Sequence, residues 1–178
     1  MTQALTWTGM SPELRKVAER AKREPGGRFH ALAHLIDGPA LLRAYCRQRE
    51  DAAVGADGIT KEDYGQDLGA NLQGLHERLR AKRYRHQPIR RVHIPKDNGT
   101  TRPLGISAFE DKVVQDALRE VLQAVYEQDC LDCSYGFRPG RSAHDAVRAL
   151  HLAADRGELN GVLEADIVSF FEVREVIA

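Results

Sequence analysis

The stretch Arg90-Arg91-Val92-His93-Ile94-Pro95-Lys96-Asp97-Asn98-Gly99-Thr100-Thr101-Arg102-Pro103-Leu104-Gly105-Ile106 sets Asn-Gly between two short β-prone runs. Both residues accept positive φ, so the pattern predicts an antiparallel hairpin with Lys96 and Arg102 flanking its tip. A point charge and a planar fork held on one ribbon suit a polyphosphate, although a solvated hairpin tip explains the same charges. Register decides between the two, because side chains alternate faces with period two. A two-residue Asn98-Gly99 turn pairs Lys96 with Thr101 and sends Arg102 to the opposite face. An odd loop, such as Asn98-Gly99-Thr100 closed by a bulge, sets Lys96 opposite Arg102 on one face, and this is the expected arrangement.

The rest of the chain is consistent with one modest globular domain or a piece of a larger protein. It has 178 residues, 42% of them hydrophobic. Net charge is zero, which argues against a generic polyanion binder, yet the charges are unevenly placed. Between Arg78 and Lys96 there is no Asp or Glu, against Arg78, Arg80, Lys82, Arg83, Arg85, Arg90, Arg91 and Lys96. A nucleic-acid backbone would meet that run as a cationic strip, with Arg83, Arg85, Arg90 and Arg91 as the candidate contacts. Cys46, Cys130 and Cys133, in a chain with no signal peptide and no membrane-length apolar run, point to a reducing, cytoplasmic setting. Cys130-x-x-Cys133 lacks a second ligand pair and His30-x-x-x-His34 lacks a third ligand, so neither reads as a metal site.

Helical patterns cover most of what remains, which makes the expected fold class α+β: a mostly helical region with one small antiparallel hairpin. Ser11-Pro12 opens a first amphipathic helix that stops at Pro25-Gly26-Gly27. Phe29 to Ile36 and Leu41 to Arg49 read as two short helices. A long one-sided helix follows the Thr60-x-x-Asp63 cap, carrying Tyr64, Leu68, Leu72, Leu75 and Leu79. Ser107-x-x-Glu110 and Ser142-x-x-Asp145 are capping boxes ahead of two further helices. Val162 to Phe171 is apolar and β-branched except for Glu164 and Asp166, and reads as a buried strand. A carboxylate inside such a strand costs several kcal/mol unless paired, so Asp166 asks for a cation.

Several of these blocks resemble one family. Ile-Pro-Lys-x-x-Gly-x-x-Arg-Pro-Leu-Gly-Ile (94–106) with Glu-Asp-Lys-Val-Val-Gln (110–115) is similar to the first fingers block of group II intron reverse transcriptases. Ser-Tyr-Gly-Phe-Arg-Pro-Gly-Arg-Ser-Ala-His (134–144) is similar to the second block, and Val162 to Phe171 to the third. The resemblance implies an N-terminal helical extension (1–50), reverse transcriptase fingers (51–160) and the first strand of a palm (161–178). It also implies nucleotide contacts from Lys96, Arg102 and Phe171, template or nucleotide contacts from Arg138 and Arg141, and magnesium on Asp166 as a first catalytic aspartate. The alternative for Arg138 and Arg141 is a structural loop whose arginines bind carbonyls.

After Phe171 the resemblance fails, for Glu172-Val173-Arg174-Glu175-Val176-Ile177-Ala178 departs from the family pattern and no Tyr-Ala-Asp-Asp turn appears. Two-metal phosphoryl transfer needs ions roughly 4 Å apart among several carboxylates, and one aspartate cannot hold them. The expectation is therefore a truncated RNA-directed DNA polymerase, inactive alone. Its whole form would use magnesium, deoxynucleoside triphosphates and an RNA template or intron RNA, with a second, complementing polypeptide as one source of the C-terminal half. The rivals are a non-enzymatic RNA-binding module and a retron-type or CRISPR-associated relative.

Overall fold

The computed structural model describes residues 10–95, 99–157, 159 and 161–167. Ser11 caps α1 (Pro12–Arg23), its hydroxyl accepting from the Leu14 N–H at 3.3 Å. Asp37 likewise caps α2 (Gly38–Arg47) through the Ala40 N–H at 2.8 Å. The Thr60–Asp63 capping box opens α3 (Lys61–Gln66), followed by α4 (Leu68–Arg80), strands β1 (Arg90–Pro95) and β2 (Thr101–Ile106), and α5 (Phe109–Tyr126). The Ser142–Asp145 box opens α6 (Ala143–Asp155), and Gly157 in the left-handed region follows its end. The architecture is α+β, helices dominating and the two strands forming one antiparallel sheet among the described residues.

The chain divides into two compact units at the Cys130–Leu131 bond. In the first, α5 is the helix the others pack on. Its N-terminal half buries Phe109, Val113 and Ala117 with Leu41 and Ala44 of α2, Tyr64 of α3 and Leu72 and Leu75 of α4. Its C-terminal half buries Val121 and Ala124 with Leu14 and Ala18 of α1 and Leu35. Leu14, Leu41, Leu75 and Val113 are fully enclosed, each contributing roughly 1.5–3 kcal/mol by burial. This packing runs across residue 50 without a break. The second unit contains α6, none of whose residues is buried.

Four local expectations are corrected. Phe29 to Ile36 is not a helix but one 3₁₀ turn, Ala33–Leu35; Phe29 instead lies under the Arg20 guanidinium, 5.2 Å from its ring centre. The long helix from Thr60 is broken at Asp67 (φ −120°, ψ 40°). Gly65 and Gly69 weaken helix there, and a Cβ on Gly65 would lie 2.4 Å from the Tyr45 hydroxyl, which would have to shift. The Asn71 side chain then takes the Tyr64 carbonyl at 2.9 Å. Ser107 does not cap α5, whose N-cap is Ala108; its hydroxyl accepts from Gln115 at 3.1 Å, and Glu110 is drawn to other partners. Finally, the described part of the expected strand, 161–167, forms no strand. Its Leu163 and Ile167 are 92% and 69% exposed, as expected of a palm strand without its partners, and Phe170 lies outside the described residues. No described strand lies beside the segment to complete a ladder.

Gly55 marks the tightest backbone approach in the first unit: an added Cβ would lie 2.5 Å from the Ala108 Cα and 2.7 Å from the Ser107 carbonyl. Backbone cannot yield as a side-chain tip can. Gly55→Ala is predicted to destabilise by about 1–3 kcal/mol or more. Gly74→Ala, on α4 with only the Arg78 side-chain tip within 4 Å, should stabilise by roughly 0.5–1 kcal/mol. Denaturant unfolding of the two variants checks the contrast in sign.

Candidate nucleic-acid interface

The cationic run begins where α4 ends and continues through β1. The first turn of α5 anchors its start. Glu110 accepts from Arg78 at 2.5 Å and from the Tyr64 hydroxyl at 3.4 Å. Asp111, 4% exposed, accepts the Tyr84 hydroxyl on one oxygen and the Gln87 N–H at 3.0 Å on the other. Burial, and then the hydrogen bond to Asp111, push the Tyr84 phenol well above its ordinary range, so it stays a donor. The remaining cations face water: Arg80, Lys82, Arg83, Arg85, Arg90 and Arg91 are exposed and not ion-paired with any described residue. Among the described residues, the Arg85 side chain bonds the neighbouring Tyr84 carbonyl, at 3.0 Å.

In the hairpin, Arg90 pairs with Ile106, Val92 with Leu104, His93 with Pro103, Ile94 with Arg102 and Pro95 with Thr101. Five residues, 96–100, therefore join the strands, an odd number as expected. The register is nevertheless two residues away from the expected one, since Arg102 stands opposite Ile94 and not Lys96. Lys96, like Phe171, lies outside the described residues. The prolines account for the odd loop. Lacking an N–H, proline is tolerated only at non-hydrogen-bonded pairs of an antiparallel ladder, which recur at every second residue. The observed register puts Pro95 and Pro103 in the same class of pair, whereas a two-residue turn would force one of them into a hydrogen-bonded pair.

Period two then sorts the ribbon into two faces. One carries Arg90, Val92, Ile94, Arg102, Leu104 and Ile106; the other carries Arg91, His93, Pro95, Thr101 and Pro103. Arg90 and Arg102 thus share a face with exposed apolar side chains, four residues apart along the ribbon, or about 13 Å. Arg91 points away from both.

In the second unit the two candidate arginines are turned onto carbonyls. Arg138 donates to the carbonyls of Leu131 at 2.6 Å and Ser134 at 2.8 Å. Arg141 donates to the Asp132 carbonyl, pairs with its carboxylate at 3.3 Å and stacks on Tyr135 at 5.3 Å. Both brace the loop that leads into α6.

No protein-family model matches the chain. Over 165 residues it is 39% identical to protein YkfC of Escherichia coli strain K12, covering 89% of this chain and 43% of that protein. It is 36% identical over 118 residues to the group II intron-encoded protein LtrA of Lactococcus lactis subsp. cremoris, covering 66% of this chain and 18% of LtrA. To an uncharacterized 91 kDa protein in the cob intron of Schizosaccharomyces pombe it is 45% identical over 117 residues, 65% of this chain and 14% of that one. The chain belongs to the family of group II intron-encoded proteins. It spans less than half the length of these relatives.

Within this family member, Asp166 is exposed, and no group of three or more His, Cys, Asp or Glu suited to a metal ion forms among the described residues. One solvated carboxylate does not fit a magnesium pair. No described helix is long and apolar enough to cross a membrane. The polar contacts that hold the interface, Asp111 with Tyr84 and Gln87, were not singled out by sequence pattern.

The register makes a direct prediction. Non-hydrogen-bonded pairs bring Cα atoms to about 4.5 Å, so NMR should show strong Hα–Hα contacts for His93–Pro103 and Arg91–Gly105. A contact between Ile94 and Pro103 in their place would restore the two-residue turn.

Proposed function

We propose that this chain is the fingers part of a group II intron-type reverse transcriptase and maturase, and that it grips RNA through the acid-free run from Arg78 into β1. The carrying observation is the exposure of Arg83, Arg85, Arg90 and Arg91 without ion pairs among the described residues, while the nearby carboxylates Glu110 and Asp111 are engaged. Cations left to water are available to phosphates, and counterion release then supplies the binding free energy. The intron-encoded relatives make intron RNA the favoured partner over the RNAs of retron-type or CRISPR-associated enzymes.

Copying RNA into DNA from deoxynucleoside triphosphates, with magnesium, is the activity we assign to the whole protein. In it, Lys96, Arg102 and Phe171 would serve the incoming nucleotide and Asp166 would be one carboxylate among several. No catalytic step is placed on this chain alone, so the part it plays by itself is RNA binding. Any C-terminal half would come from further chain or from a complementing polypeptide.

Fluorescence anisotropy with a structured RNA across a salt series tests the reading. Affinity should fall steeply with salt, and replacing Arg83, Arg85, Arg90 and Arg91 by Ala should make the log–log slope shallower by about 3, close to one unit for each phosphate no longer neutralised. An unchanged slope would move the RNA surface elsewhere.

A further inference from the structure

Three successive residues at the start of α5 hold three separate stretches of chain. Glu110 holds the end of α4 through Arg78. Asp111 holds Tyr84 and Gln87. Lys112 donates to the Ala53 carbonyl at 2.5 Å. The middle one is singular, because its carboxylate is almost wholly buried and both of its donors come from inside the cationic run. A buried carboxylate is retained at low cost only where donors saturate it, and the first turn of a helix adds a favourable dipole. Tyr84 and Gln87 are thereby fixed at two points, three residues apart.

That fixation has a directional consequence. Tyr84 turns inward, packing on the cluster formed by Leu41, Leu75 and Val113, and its neighbours Arg83 and Arg85 are exposed. In extended chain, anchoring one side chain inward sends both neighbours outward. The turn before it adds to this: α4 ends with the Lys82 N–H on the Leu79 carbonyl at 3.0 Å and the Arg83 N–H on the Arg78 carbonyl at 2.9 Å. Lys82 takes the left-handed conformation there, φ 55°, which glycine would adopt more cheaply. The chain therefore enters the run along a fully specified path, and every unanchored side chain on it from 82 to 85 is a cation.

We propose that Asp111 and Tyr84 are positioning residues of the RNA surface, the clamp between them aiming Arg83 and Arg85 at phosphates. This rests on the RNA-binding reading above. They touch no RNA themselves. Their contribution is that the cations leave the core in one direction instead of sampling many, so less conformational freedom is lost on binding.

Tyr84→Phe in the full chain is the primary test, since it keeps the ring in the core and removes only the hydroxyl; Asp111→Asn is the second variant. Each is followed by circular dichroism, by tryptic cleavage and by anisotropy on a synthetic stem-loop RNA across salt. Tyr84→Phe should keep the wild-type spectrum, be cut faster after Lys82, Arg83 and Arg85 and not elsewhere, and bind RNA roughly tenfold more weakly with a shallower salt slope, as the release of one or two phosphates would give. A variant that is folded and binds with wild-type affinity and slope overturns the proposal, whether or not its cleavage changes. So does one that only melts earlier with its slope intact. A wild-type chain that binds no RNA fails the underlying reading itself, and the wild-type control shows that separately from the clamp.

Discussion

A carboxylate taken out of water has to be met by donors, and α5 carries two such groups: Glu120, in the seam that buries Phe109, Val113, Ala117 and Val121, and Asp111, on another side of the helix under Tyr84. Glu120 is met by Arg43 at 3.3 Å and by Arg47 at 3.2 Å, and Arg47 reaches Asp116 at 2.7 Å as well. These are forks from α2, one turn apart, so α2 can neither slide nor rotate on α5 without leaving a charge unpaired. Apolar packing alone would tolerate such a shift, for Leu41 and Ala44 fit many neighbouring holes. The ion pairs add little net stability against a well-packed apolar seam, but they specify which packing forms.

The same requirement explains how a chain with no net charge can show a cationic surface. Acidic residues of α5 are consumed inward or sideways: Glu110 by Arg78, Asp111 by Tyr84 and Gln87, Asp116 and Glu120 by arginines of α2. Lys61 is also spent internally, on the Gln48 carbonyl at 2.8 Å beyond the end of α2. What is left over lies in the run from the end of α4 through β1, where no Asp or Glu stands between Arg78 and Lys96. Net charge averages these two populations and so conceals both.

Features set by a few adjacent residues were legible in the sequence. The boxes Thr60–Asp63 and Ser142–Asp145, the start of α1 at Ser11-Pro12 and the end of α6 before Gly157 all depend on local hydrogen bonds and backbone freedom, and they form as the spacing predicts. Features set by distant partners were not. Ser107 has a capping sequence, yet Arg78, thirty-two residues from Glu110, takes the glutamate that the box needs. Gly65, just before the break at Asp67, lies under the Tyr45 hydroxyl, and no window around residue 65 contains that tyrosine. The hairpin register is intermediate. Asn98-Gly99 advertises one turn, while Pro95 and Pro103, equally visible, exclude its ladder; weighing both prolines selects the odd loop, although it does not choose between the two odd registers.

Asp166 and Asp111 show how the same reasoning can be right in form and misplaced. A buried carboxylate does ask for compensation, and an apolar β-branched neighbourhood is a fair sign of burial, which led to Asp166. Burial, however, is a property of what covers a segment. Residues 161–167 are exposed here, so the burial from which that argument started is absent in this chain. Asp111 stands in the sequence Phe109-Glu110-Asp111-Lys112, among charges, and looks like an exposed first turn. It is nevertheless the buried one, because Tyr84 and Gln87 close over it, although the helical turn places it away from the stripe of Val113 and Ala117. The helical period puts it off the seam, so its burial depends on residues twenty-four and twenty-seven positions away that no local pattern around α5 contains. A carboxylate whose donors both come from one distant stretch of chain is therefore a stronger pointer to an organised contact than one in an unpaired apolar run, since its burial exists only when that stretch is in place.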